Sequence, residues 1–346
     1  MGLGRAASDA VVYCDAMTRV GVFGAGAMGT AMAMHAARSG NEASLWASEH
    51  DAQAIEGLRV KRRHPLLPEH IPGSLVVHGP DELAEAARDV EIAVMGASSR
   101  GARSLARLVR GHLDGARSVV SIAKGLEPET RQRISEVYAQ ELPGPAIVAV
   151  GGPCLAAELA EGLPTAAVWA SIDAEVAAAA VGPLEDARYQ LAYTDDIVGV
   201  ELCSMMKNVA AIGLGILDGL GKPTGRDFKN AKAALFTRAA HELEELVTAL
   251  GGRSETVFGL AGVGDQLVTS LGGRNRLYGE MVGLGDPPAD ALIELETRGL
   301  TVEGVDSTRD VRHLAKEQGL DLSYHAAVHR VLFEGGEPDE IWEVLR

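Results

Sequence analysis

Aromatic residues make up only 4% of this 346-residue chain, and there are three cysteines. Cys14, Cys154 and Cys203 lie far apart, and no C-x-x-C occurs. That excludes a disulfide framework and gives no zinc-ligand spacing, so no metal is expected. A reduced, cytoplasmic setting is the simplest expectation. Positive charge is also short: 32 Lys and Arg stand against 48 Asp and Glu, for a formal net charge of -16. This argues against nucleic acid and against anionic membrane surfaces as partners, whereas a small anion needs only a local cluster of Lys and Arg. No apolar run reaches the roughly 18 residues of a membrane span; the run 209–217 near the centre is shorter. Residues 1–18 carry Asp9 and Asp15 and no continuous apolar stretch, unlike a signal peptide. They are expected to form a poorly ordered extension, with Met17 a second candidate start.

What is present is small and apolar. Ala, Val and Leu dominate a hydrophobic fraction of 47%, and there are 41 glycines besides. The length suggests two domains with sizeable cores. The first opens with an apolar run, RVGVF at 19–23, leading into Gly24-Ala25-Gly26-Ala27-Met28-Gly29 and an alanine-rich helix over 30–39. A strand follows at 43–47. Strand, GxGxxG, helix and strand in this order are the context a dinucleotide-binding loop requires. Gly24 permits the turn, Gly26 lets the backbone approach a pyrophosphate, and Gly29 allows close helix–strand packing. The helix N-terminus offers N–H groups to the phosphates. Further strands are expected at 90–95, 118–123, 146–150 and 166–170, the last of the sheet. Trp46, Ala47, Ser48 and Glu49 end the second strand, where a ribose-reading acid is usual. Ala47 stands at the first tip position, Glu49 comes late, and Ser48 suits a 2′-phosphate. NAD and NADP both remain open, with NADP favoured.

From about residue 194 the pattern turns helical, with apolar 3.6-residue periods over 198–218, 229–250, 254–260, 276–283, 287–298, 304–318 and 322–333. The fold class expected is α/β: a Rossmann-like doubly wound sheet over 19–193, then an all-helical part over 194–346. The stretch 198–217 reads as a helix apolar in every direction, interrupted by Lys207 and Asn208. A buried ammonium is costly and needs a partner or a task. Taken alone, such a lysine is better explained by snorkelling or a structural ion pair than by a task. Lys124, at the C-terminal edge of the strand at 118–123, lies where open α/β sheets bind ligands. Arg274 and Asn275 follow Gly272-Gly273 at a helix start, a fork of donors that suits a phosphate; without Lys207 and the glycine loop a solvated capping turn would be the preferred reading.

The chain resembles the NAD(P)-dependent sn-glycerol-3-phosphate dehydrogenase family from about Arg19 to its C-terminus. The matching stretches are GAGAMGTAMA (24–33), SIAKGLE (121–127), GGPCLAAELAEGLPTA (151–166), VGVELCSMMKNVAAI (198–212), NAKAALFTRA (230–239), FGLAGVGDQLVTS (258–270), GGRNRLYGE (272–280) and VEG (302–304). RRHPLLP at 62–68 looks most like archaeal members. The resemblance implies a catalytic Lys207 assisted by Lys124 and Asp265. It implies substrate contacts from Asn208, Thr269, Arg274, Asn275, Gly152 and Cys154. Cofactor contacts are implied for Gly24, Gly26, Ala27, Met28, Gly29, Trp46, Ser48, Lys124, Ala156, Arg274 and Glu303. It further implies a small phosphorylated substrate, dihydroxyacetone phosphate, and a homodimer. This chain departs from the family wording at Cys154, where a serine is common, and in the Gly-Ala-Ser-Ser loop at 96–99.

Overall fold

The computed structural model describes residues 17–346, so all but the last two residues of the expected N-terminal extension, Cys14 included, lie outside the described residues. Eight strands form one sheet: β1 (Arg19–Phe23), β2 (Glu42–Trp46), β3 (Val76–His78), β4 (Ile92–Met95), β5 (Ser118–Ser121), β6 (Ala146–Gly151), β7 (Thr165–Ala170) and β8 (Tyr189–Thr194). Their spatial order is β3-β2-β1-β4-β5-β6-β7-β8. Central β4 and β5 are wholly buried, which matches the unbroken apolar sequence of β4 and the paired valines of β5. All neighbours run parallel except β6 and β7, which are antiparallel. The link between those two is a turn and one short helix, Ala156–Glu161, which reverses the chain. Arg38 ties that helix to the glycine-loop helix (Ala27–Arg38) by donating to the Leu159 and Ala160 carbonyls.

The sheet does not end at 170, as the sequence suggested. β8 extends it, an edge strand whose YQLAYT alternates between buried and exposed at its start and has no long apolar run. β3, only three residues long, also went unanticipated.

The rest of the chain packs around the central helix, Ile197–Gly221, which is buried along nearly its whole length. Among the described residues it alone is long and apolar enough to cross a membrane, and 89% of its most apolar stretch is covered by protein. Its partner is helix Arg274–Gly283. A Cβ on Gly215 or Gly219 would fall 2.1 or 2.2 Å from the carbonyls of Arg276 and Glu280. A Cβ on Gly279 or Gly283 would fall 2.0 or 2.1 Å from those of Ile212 and Ile216. Glycine on both sides thus lets the two backbones touch, and this contact sets Asn275 opposite Asn208. The central helix is fixed at its start by Asp196, which accepts from Gly199 N (2.9 Å), Arg253 N (2.9 Å) and Thr256 Oγ1 (2.6 Å). Glu201 ties it to the sheet side, accepting from Ser135 N (2.9 Å) and Oγ (2.5 Å).

The helix expected over 254–260 is instead one turn, Ser254–Val257, followed by a π-turn, Leu260–Gly264. Gly264 N bonds back to Gly259 O at 3.1 Å. A Cβ on Gly262 would sit 1.9 Å from the Val257 carbonyl. Such turns are often found at functional sites, and this one delivers Asp265.

Candidate active site

Asp265 opens helix Asp265–Leu271 and is 1% exposed. Three groups converge on its carboxylate. Lys207 Nζ forms a short ion pair with Oδ1. Lys124 Nζ lies 3.7 Å from Oδ2. The Gly152 amide donates to Oδ2 at 3.3 Å. Gly152 has φ +106, a conformation glycine adopts without strain. Its amide is therefore engaged with the carboxylate that both lysines share.

One carboxylate between two lysines makes their protons unequal. Burial, and then the Lys124 charge, lower Lys207 to about 7, although Asp265 pulls the other way. Burial also opposes the charge on Lys124, but Asp265, the contact with Lys207 and the charge of Glu303 outweigh it, and its pKa rises. The proton of Lys124 is thus held, while Lys207 titrates near neutrality. Asp265 favours the charged Lys207, and Lys124, a second cation on the same carboxylate, offsets part of that effect.

Beside the lysines an amide relay fixes a donor. Gly304 N donates to Asn275 Oδ1 at 2.9 Å, and Asn275 Nδ2 donates to Asn208 Oδ1 at 2.9 Å. Since a backbone N–H only donates, the relay forces Asn208 to present its Nδ2. That Nδ2 is buried with no partner. An unpaired buried donor is costly, and this one lies next to Lys207. Gly304 is indispensable here: a Cβ would fall 2.7 Å from Asn275 Oδ1. Asn275 therefore orients Asn208, while Arg274, exposed at the uncapped start of its helix, donates to Thr301 Oγ1 at 2.7 Å.

Lys124 lines two openings, with Lys207 buried behind it on Asp265. An open cleft is lined by Ser98, Ser99, Lys124, Thr301 and Glu303, among others. A smaller one meets Lys124, Met28, Gly152, Cys154 and Tyr189. Cys154 is almost wholly buried, and burial pushes its thiol up, so it stays neutral. Thr269, half-buried, follows one turn after Asp265. Gly304 and Glu201 escaped the sequence reading; the only signals were the glycine in VEG and a lone acid in an apolar helix.

The glycine turn fits a dinucleotide. Gly24 has φ +117, and its Cβ would meet the Gly96 backbone at 2.9 Å; a Cβ on Gly96 would in turn fall 2.7 Å from Gly24 O, which accounts for the glycine opening the 96–99 loop. A Cβ on Gly29 would fall 2.2 Å from Gly24 O, whereas one on Gly26 would meet nothing within 4 Å. The helix begins at Ala27 with no side-chain cap, so its first N–H groups are available. Ala27, Met28 and Ala156 share the apolar surface alongside it. Trp46 departs from expectation. Its indole is buried and donates to the Pro80 carbonyl at 3.4 Å, and only its own carbonyl meets the turn, accepting from Gly24 N at 2.9 Å. Ser48 donates through both N (2.9 Å) and Oγ (2.8 Å) to Asp51 Oδ2. Among the described residues no group of three or more His, Cys, Asp or Glu is placed to hold a metal.

Comparison with known proteins agrees with this geometry. The profile of the NAD-dependent glycerol-3-phosphate dehydrogenase N-terminus matches residues 19–177, and that of its C-terminus matches 196–343. A glycerol-3-phosphate dehydrogenase (NAD(P)+) of Koribacter versatilis is 38% identical, over 95% of this chain and 97% of its own. One from Salinibacter ruber is 36% identical, over 95% and 94%. The crystal structure of the Coxiella burnetii glycerol-3-phosphate dehydrogenase superposes with a TM-score of 0.84 at 30% identity, covering 95% of this chain and 98% of that one. The chain therefore belongs to the NAD-dependent glycerol-3-phosphate dehydrogenase family.

Proposed function

We propose that this chain interconverts dihydroxyacetone phosphate and sn-glycerol 3-phosphate, with Lys207 as the general acid and base. The observation that carries the reading is the buried Lys207–Asp265 pair, with Lys124 on the other carboxylate oxygen. A bound nicotinamide supplies the hydride in reduction and takes it up in oxidation. As hydride reaches the carbonyl carbon, charge grows on the oxygen, and the Lys207 ammonium donates its proton there. In the reverse direction neutral Lys207 removes the hydroxyl proton. A pKa of about 7 serves both directions. Lys124 and Asn208 Nδ2 add a fixed positive charge and a fixed donor, already oriented before reaction. Arg274, with the uncapped helix N-terminus behind it, receives the phosphate, and that remote grip orients the carbonyl. Cys154 lines the smaller opening, and Thr269, one turn after Asp265, completes the substrate contacts.

On the cofactor side, Gly24 to Gly29 and Ala156 carry the pyrophosphate, and Glu303 stands at the nicotinamide end beside Lys124. The strand tip now favours NAD. Ser48, expected to receive a 2′-phosphate, is bonded to the Asp51 carboxylate, which repels that phosphate and suits a ribose hydroxyl. A homodimer through the helical part, where Phe258, Leu267 and Leu271 are exposed, and a cytoplasmic setting complete the reading. The test is steady-state oxidation of NADH and NADPH with dihydroxyacetone phosphate. Turnover with a preference for NADH is expected, and no turnover with either cofactor overturns the assignment. Turnover of a different phosphorylated ketone alone moves the substrate and keeps the chemistry.

A further inference from the structure

The loop 61–72, after helix Ala52–Val60, carries a histidine that no step above uses. His64 is 4% exposed. Its Nε2 lies 3.1 Å from the Ala25 carbonyl oxygen, and its Nδ1 accepts from the Leu66 amide at 3.1 Å. A carbonyl only accepts and an amide N–H only donates. The two contacts together therefore require the neutral imidazole with its proton on Nε2. Burial acts in the same direction, lowering the histidine's pKa.

The partner of that proton is the middle of the glycine turn. Ala25 is wholly buried, and its oxygen has one other side-chain contact, a long one from Thr30 Oγ1 at 3.4 Å. In a trans peptide the C=O and the following N–H point in opposite directions. Holding the Ala25 C=O toward His64 thus turns the Gly26 N–H away from it. Gly26 faces open space, where a dinucleotide pyrophosphate approaches the helix N-terminus. The loop that carries His64 is itself braced. Ile71 N donates to Arg62 O at 2.8 Å, Arg63 N to Gly57 O at 3.0 Å, and the Arg62 guanidinium to Leu75 O at 3.1 Å.

We propose that His64 is a positioning residue for the dinucleotide: it sets the plane of the Ala25–Gly26 peptide and so presents the Gly26 amide to the pyrophosphate. The inference concerns cofactor binding only, so it stands or falls apart from the identity of the carbonyl substrate.

Three variants test it. His64→Ala removes both bonds. His64→Gln reaches as far as Nε2 and keeps a donor for Ala25, but offers nothing at the Nδ1 position. His64→Asn does the reverse, keeping an acceptor for Leu66 and leaving Ala25 unpaired. NADH binding is read without substrate by nicotinamide fluorescence titration, alongside Tm and steady-state constants. His64→Ala is expected to raise the Kd for NADH roughly tenfold, the factor that loss of one buried hydrogen bond commands. The KM for dihydroxyacetone phosphate and kcat at saturating NADH stay unchanged. Gln is expected to restore near-normal binding, and Asn to remain as weak as Ala. Rescue by Asn with failure of Gln would confine His64 to the turn of its own loop and overturn the proposal. So would an unchanged Kd in His64→Ala, or equal losses in all three variants accompanied by a common fall in Tm.

Discussion

Replacing Asp265 with asparagine removes one negative charge from between two lysines and leaves the side chain's shape almost unaltered. Asp265 contacts Lys207 through Oδ1 and lies 3.7 Å from Lys124 through Oδ2. A unit charge about 4 Å away is worth roughly 4 kcal/mol at an effective dielectric of about 20. One pKa unit corresponds to about 1.4 kcal/mol. Lys207, already lowered to about 7, should fall by about 3 further units. At neutral pH only about one molecule in a thousand would then carry the Lys207 ammonium. The reduction of dihydroxyacetone phosphate should lose about 10³ in kcat/KM at pH 7 and recover part of that as pH is lowered. Oxidation of glycerol 3-phosphate, which uses neutral Lys207, should lose less. The assay is NADH oxidation and NAD reduction followed by absorbance across pH, with circular dichroism confirming that the variant is folded. A loss that is the same at every pH and in both directions would refute the electrostatic reasoning and leave Asp265 a merely positional role.

Lys207→Ala should lower kcat in both directions by about 10² to 10⁴, the usual span of a general acid–base group, with NADH affinity by fluorescence titration unchanged. Asn275→Ala unpairs Gly304 N and releases Asn208; the KM for dihydroxyacetone phosphate should rise, and steady-state kinetics will also register a fall in kcat as the Asn208 donor loses its orientation. Arg274→Ala should mainly raise that KM and abolish competitive inhibition by inorganic phosphate, whereas an unchanged KM would remove Arg274 from phosphate binding.

The site was legible where chemistry is written in adjacent residues. Lys207 and Asn208 stand out as polar groups in an apolar helix, and the glycine turn announces itself by its strand–loop–helix context. What stayed hidden depends on contacts far apart in sequence. The relay from Gly304 through Asn275 to Asn208 exists because Gly215 and Gly219 meet Gly279 and Gly283, and no local period reveals that fit. The offset between Lys207 and Lys124 needed both distances to Asp265, since sequence alone cannot say that one carboxylate serves two lysines. Trp46 misled for a simple reason: position at a strand tip says nothing about which face an indole takes, and here the core took it. β8 was missed because an edge strand with alternating burial reads as loop, and β3 because it is too short to show a period.

The most direct test of Lys207 as the acid and base is the pH dependence of kcat/KM measured in both directions on the unaltered enzyme. With Lys207 titrating at about 7, reduction should be flat on the acid side and fall as pH rises through that value, because it needs the ammonium. Oxidation should mirror it, falling as pH drops through the same value, because it needs the free amine. Profiles that run level across about pH 6 to 8, or that break on the same side in both directions, would contradict the account.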